Sequence, residues 1–232
     1  MSILSNGSTN AKTRKKLKEF KYEAVIQYLA PDKLADDKHT VCPWSTPGCR
    51  DSCLYTAGRG NTPSVQTARI GKTLSWLREP MPYVDELIHE LLKLEKRAAK
   101  KRYKAVARLN GTSDISWEKK FDMASFNAIQ FYDYTKSYDR MQKFLRGTFP
   151  TNYHLTFSYN EYTTAAEVHF IIAKGGNVAV VFRDSIPLEW RGYPVLSGDE
   201  HDFRFRDPKG YIIGLTAKGR AKKDSTGFVV DA

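Results

Sequence analysis

Apolar and polar positions change period several times along the chain, and the changes divide it into short strands and helices. Residues 22–29, Tyr-Glu-Ala-Val-Ile-Gln-Tyr-Leu, form an apolar run of the length of a buried strand. Thr62-Pro63 has the form of a helix start, with threonine at the cap and proline in the first turn, and the helical pattern carries on to Arg78. Pro82 opens a second helix, in which Val84, Leu87, Ile88, Leu91, Leu92 and Leu94 recur at three-and-four spacing and make one apolar face. Beyond it the pattern predicts strands at 104–109, 127–132, 153–157 and 177–182. The first three are each followed by a polar turn and a helix-like stretch, at 117–126, 137–146 and 163–174. These units recur about every 24 residues without sharing sequence, so the period is that of a strand–helix unit and not of a duplication. Gly175-Gly176 ends the last helix, and a final strand is predicted at 211–216. The pattern implies an α/β fold, a partial (β/α) barrel of about six mainly parallel strands, interrupted near its start by a long irregular segment at 31–60.

Composition adds boundaries. The chain has 232 residues, 41% hydrophobic and 27% charged, enough to bury one sizeable core. We expect a basic, flexible segment at 1–21, a single α/β domain at 22–219 and a basic tail at 220–232. No stretch approaches the roughly 18–20 apolar residues of a membrane span. The first residues lack a basic stretch followed by an apolar one, which predicts a cytoplasmic chain with reduced thiols. A net charge of +11 suits a polyanionic partner such as nucleic acid. Much of that charge lies in lysine-rich runs at 12–21 and 93–104, which serve equally well as solvated faces. Walker phosphate loops, His-Glu-x-x-His and Gly-x-Ser-x-Gly are all missing from the sequence.

The chemistry concentrates in the irregular segment. All three cysteines, Cys42, Cys49 and Cys53, lie within one window of twelve residues. An odd, tightly grouped set separated by turn residues argues against a disulfide framework and for thiolates converging on a metal centre. With His39 they make a Cys₃His set suited to Zn²⁺, although only Cys49 and Cys53 approach zinc-knuckle spacing. The alternative is a [4Fe–4S] cluster, whose ligands can come from one broad loop with uneven gaps and whose fourth iron would stay open. Free, buried thiols are the third reading.

The predicted strands end in polar turns, and parallel α/β folds collect function at those ends. The turns are Asn110-Gly111-Thr112-Ser113-Asp114, Asp133-Tyr134-Thr135-Lys136, Ser158-Tyr159-Asn160-Glu161 and Arg183-Asp184. Singly, each is an ordinary turn or helix cap. Together Asn110, Asp133, Lys136, Ser158 and Glu161 would face one polar mouth able to hold a small ligand. Trp44 and Tyr55, beside the cysteines, are expected to pack the loop or shield its metal. The turn Asp199-Glu200-His201-Asp202 fits an acid–base pair or a divalent metal, but fits better a solvated loop paired locally with Arg204 or Arg206.

A three-cysteine loop after the first strand of a partial barrel resembles the arrangement in radical S-adenosylmethionine (radical SAM) enzymes. Their usual motif is Cys-x₃-Cys-x₂-Cys, whereas this chain has Cys42-x₆-Cys49-x₃-Cys53. The resemblance implies a [4Fe–4S] cluster on Cys42, Cys49 and Cys53, with S-adenosyl-L-methionine bound at the open iron. It implies that the turn at 109–114, which includes Gly111, binds the methionine amine, through Asn110, Ser113 or Asp114; from their position at strand ends, Lys136 is expected to meet the carboxylate and Ser158 the ribose. It also implies an electron donor and a substrate, here a nucleotide, nucleic acid or peptide. The Cys-Pro-x-Ser-Thr-x-Gly-Cys core, Leu-Asn-Gly-Thr-Ser-Asp and Gly-Asp-Glu-His-Asp-x-Arg-Phe are similar to the gene-product-88-like family of tailed phages, whose activity is unknown. That likeness implies the cytoplasm of an infected bacterium, where a host protein would donate the electron. The competing readings are a zinc-stabilised nucleic-acid-binding protein without catalysis and a phage inhibitor that binds a host protein.

Overall fold

A computed structural model describes residues 2–232. Ten strands form one sheet: β1 (Leu4–Asn6), β2 (Tyr22–Gln27), β3 (Lys104–Arg108), β4 (Ile129–Thr135), β5 (Tyr153–Ser158), β6 (Val178–Phe182), β7 (Glu189–Trp190), β8 (Tyr193–Ser197), β9 (Ile212–Thr216) and β10 (Val229–Val230). Their order is β1-β2-β3-β4-β5-β6-β9-β8-β7, with β10 paired to β6. The six strands β2, β3, β4, β5, β6 and β9 are neighbours in sequence order and parallel throughout. Only β1 on β2 and β7 on β8 run antiparallel. The fold is therefore mixed α/β with a mostly parallel sheet, and it is not a closed barrel, because the order ends at β1 and β7.

Parallel strands need crossover connections, and helices supply those from β2 to β3, β4 to β5 and β5 to β6. The helices are α1 (Ala11–Lys16), α2 (Pro47–Asp51), α3 (Pro63–Arg78), α4 (Pro80–Lys101), α5 (Tyr138–Leu145) and α6 (Ala165–Ala173). The apolar face of α4 buries Val84, Leu87, Leu91 and Leu94 as its spacing requires, while Leu92 stays exposed. Both faces of the sheet are covered, as parallel strands demand. On one side Val25, Ala105, Phe131, Leu155 and Ile212 join the main core with the helices. On the other, Tyr22, Ala24, Val106 and Tyr132 pack around Phe203, with Phe20 and Phe205 at the margin.

Several expected elements differ. The helix expected at 117–126 is two 3₁₀ turns, Trp117–Lys119 and Met123–Ser125. Asp122 interrupts it, because its carboxylate accepts the Ala124 N–H and its carbonyl accepts the Ser125 hydroxyl. The segment expected to be flexible, 1–21, contributes β1 and α1. Glu90 on α4 accepts the N–H groups of Ile3 and Leu4 at 2.8 Å each, and Asn10 caps α1. The basic tail likewise returns to the sheet as β10. Among the described residues no helix is long and apolar enough to cross a membrane.

Candidate functional site

Above the carboxyl ends of the parallel strands lies a cavity of about 1060 Å³. Cys42, Cys49 and Cys53 all line it, and all three are free and half-buried. The strand ends line it too: Asn110–Asp114 after β3, Thr135 and Lys136 at β4, Ser158 at β5, Val181 in β6, and Leu215 and Thr216 in β9. Six of the expected ligand residues, Asn110, Gly111, Ser113, Asp114, Lys136 and Ser158, thus share one space with the three cysteines.

Local chemistry fixes each cysteine. The Thr46 side chain accepts the Cys49 N–H at 3.2 Å and caps α2, with Pro47 in its first turn. Thr40 Oγ1 accepts the Cys42 N–H at 2.9 Å, and Cys42 Sγ accepts the Asp32 N–H at 3.3 Å. Burial pushes the Cys42 thiol up to about 12; the Asp32 N–H opposes this, while negative charge on Cys53 or Cys49 would add to it. Burial raises Cys53 as well, against the pull of Lys136 and Arg69. Negative charge on Cys49 would raise the Cys53 thiol further.

The three thiols do not converge on the point a single ion would occupy. Among the described residues, no three His, Cys, Asp or Glu side chains are gathered to hold one metal ion. His39 is 65% exposed, pairs with Asp36 at 3.2 Å and is not among the residues lining the cavity. The Cys₃His arrangement considered for zinc is not assembled.

The turn after β3 is held from three sides. Asn110 Oδ1 accepts the Ile115 N–H at 2.9 Å and the Ser113 hydroxyl at 2.8 Å. Gly111 donates to the Gln27 carbonyl, and a Cβ there would stand 2.5 Å from the same oxygen, so only glycine allows the approach to β2. Asp114 N–H donates to Val41 O at 2.9 Å, which fastens the turn to the cysteine loop. The Asp114 carboxylate receives Arg140 at 2.7 Å and the Lys136 N–H at 2.8 Å; burial raises its pKa, and Arg140 pulls it back. Lys136 Nζ donates to Ser158 Oγ at 2.7 Å and lies 5.2 Å from the Phe228 ring centre.

Two residues expected at the mouth lie elsewhere. Asp133 is fully buried behind the turn, accepting the Asn110 N–H at 2.7 Å and the Tyr153 hydroxyl at 2.9 Å. It shares the helix-facing side of β4 with Phe131, two residues earlier. Glu161 accepts the Gly48 N–H and the Thr46 hydroxyl at 2.7 Å each, so it anchors the cysteine helix from behind. The acidic turn is not a solvated loop with local pairs. Asp202 is 5% exposed, takes Arg108 at 3.0 Å and receives the Tyr132 hydroxyl, while Asp199 pairs with Lys12. Asp202 lines the cavity, but its carboxylate is committed to Arg108.

Four contributors carried no motif. Tyr28, Arg69, Arg108 and Tyr134 line the cavity. Arg108 stacks 4.8 Å from the Tyr134 ring centre, and Arg69 lies 4.6 Å from Tyr28 and 5.6 Å from Tyr55. Tyr55 is a cavity wall residue and Trp44 is not. Chemically the site offers three thiols, a cationic and hydroxylic wall, and aromatic faces, all partly shielded from water.

In comparison with known proteins, a family model described as Gene product 88 matches residues 2–232. No curated protein and no solved structure matches the chain.

Proposed function

We propose that this chain, which belongs to the gene product 88 family of phage proteins, is an iron–sulfur enzyme of the radical SAM type. The observation that carries the reading is the meeting of all three cysteines of the chain with the carboxyl ends of consecutive parallel strands around one cavity. The sheet order supports a curled, partial barrel. So does Lys12, just past β1, which donates to Gly198 O and pairs with Asp199 beyond β8, near the other end of the strand order.

The reading takes the three thiols as cubane ligands and not as those of a single ion: a cubane takes one thiolate per iron, so three thiolates would leave one iron free. Burial disfavours bare thiolates here, and a bound metal reverses that preference. Bound and reduced, such a cluster would supply the one electron needed to cleave S-adenosylmethionine reductively and so initiate radical chemistry on a substrate.

The chain's own residues hold and orient. Cys42, Cys49 and Cys53 ligate the cluster. Ser113 and Asp114, with Asn110 and Gly111 shaping their turn, face the methionine amine. Lys136 meets the carboxylate and leaves Ser158 for the ribose. Tyr55, which is buried, helps to keep water from the reacting centre. The electron comes from a host reductase, and the reaction belongs to the reducing cytoplasm of the infected cell.

Anaerobic reconstitution with iron and sulfide tests the proposal. The protein should turn brown, absorb near ~400 nm and hold about four irons per chain. Cys49→Ala should lose both signals. With dithionite and S-adenosylmethionine the wild type should release 5′-deoxyadenosine. A colourless protein that refuses iron, or one that takes a single zinc instead, overturns it.

A further inference from the structure

Arg69 is the unexplained charge in the cavity. It is 9% exposed, yet among the described residues its Nε and Nη1 have no hydrogen-bond partner. Its guanidinium rests against Tyr28 and Tyr55, which contribute ring faces and no counter-charge. The Tyr28 hydroxyl is already engaged by Asn10 Nδ2 at 2.8 Å. A buried cation without donors satisfied is costly unless a ligand completes it.

The surroundings have the same sign. Nine Lys or Arg side chains line the cavity against three Asp. All three acids are spent: Asp32 on Arg50 and Thr40, Asp114 on Arg140, and Asp202 on Arg108. Among the described residues Arg59, Arg69, Lys72, Lys136 and Arg220 line the cavity without an ion pair. One carboxylate would answer only one of these five charges. A phosphate carries up to two negative charges, and its tetrahedral oxygens match the guanidinium fork. Aromatic faces at Tyr28, Tyr55, Tyr134 and Phe228 suit a flat base. The volume, about 1060 Å³, is at the top of the range for single-ligand pockets, which run to about 1,000 Å³.

We infer that Arg69 forms a phosphate subsite through which the cavity binds a nucleoside 5′-phosphate. The subsite uses no cysteine, so it stands or falls separately from the iron–sulfur reading, and only the ligand's role as substrate rests on that reading.

The test uses full-length protein without metal. The four ribonucleoside 5′-monophosphates and their nucleosides are titrated by calorimetry and thermal shift. At least one monophosphate should bind and raise the melting temperature, its nucleoside should bind far more weakly, and Arg69→Gln should weaken the monophosphate by ~10-fold or more. Arg69→Gln should itself melt no lower than wild type. If that variant does not fold, Arg69→Lys, which keeps the charge but loses the fork, should show the same loss. S-adenosylmethionine and 5′-methylthioadenosine form a parallel arm. The inference is overturned if no monophosphate binds, if the variants bind it as tightly, if Arg69→Gln weakens only S-adenosylmethionine, or if only a single-stranded oligonucleotide binds.

Discussion

The Glu161 carboxylate accepts the Gly48 N–H at 2.7 Å and so ties the loop after β5 to the first turn of the helix that carries Cys49. The same group takes the Thr46 hydroxyl, which is the cap of that helix. Hydrogen bonds to a charged group contribute about 1.5–3 kcal/mol each when one partner is removed. Glu161→Ala should lower stability by about 1–3 kcal/mol in a denaturant titration. It should also lower the iron retained after desalting, because Cys49 loses its support. Unchanged iron content in a folded Glu161→Ala protein would show that the clamp is dispensable.

Arg108 and Asp202 meet at 3.0 Å in the interior, with side chains 12% and 7% exposed. Asp202→Asn strands the guanidinium and should cost about 3–5 kcal/mol, whereas the double change Arg108→Met, Asp202→Leu should recover much of it. Chemical denaturation of the three variants checks this. Similar losses in the single and double variants would mean that packing of the site, not the unpaired charge, sets the cost.

Burial raises the Asp133 carboxyl to about 7, against the pull of Arg108 and the Asn110 N–H. The ordinary unfolded value lies near 3.9. Between these values the folded state binds more protons than the unfolded one. Its contribution to stability is therefore present in full below pH ~4 and declines as pH rises to ~7, by at most about 1.4 kcal/mol per pH unit. Asp133→Asn should remove that declining component. Denaturant midpoints of wild type and variant from pH 4.5 to 8 should converge in relative terms toward high pH; parallel curves would place the Asp133 titration outside this window.

Gly111→Ala puts a methyl group 2.5 Å from Gln27 O and 2.6 Å from the Tyr28 ring. Overpacking of this kind costs about 1–3 kcal/mol. The turn must move away from β2, so binding of S-adenosylmethionine to reconstituted protein should weaken along with the melting temperature. A variant with wild-type affinity would show that the turn does not contact that ligand.

The parallel strands were legible because strands covered on both faces read as apolar runs bounded by turns. The long helix was legible because Val84, Leu87, Leu91 and Leu94 keep one face. What escaped depends on distant partners. Leu-Ser-Asn becomes β1 by pairing with Val25–Gln27 of β2, and Glu90, 86 residues from Leu4, fastens its start. Asp202 lies in a run that reads as surface, and Arg108, 94 residues away, brings it inside. Asp133 was misplaced by parity: β4 continues to Thr135, so side chains alternate through the supposed turn and Asp133 falls on the helix side. The cysteines and the Asn110 turn were visible as unusual local composition. Arg69, in Ala-Arg-Ile on an ordinary helix, has no such mark.

The cavity takes wall residues from Ser5 to Phe228, and β10 lies against β6 with Val229 beside Val181 and Val230 beside Phe182. The three thiols are therefore enclosed by segments from both halves of the sequence, so a change that unseats β10 would open the cavity from a distance without touching a cysteine.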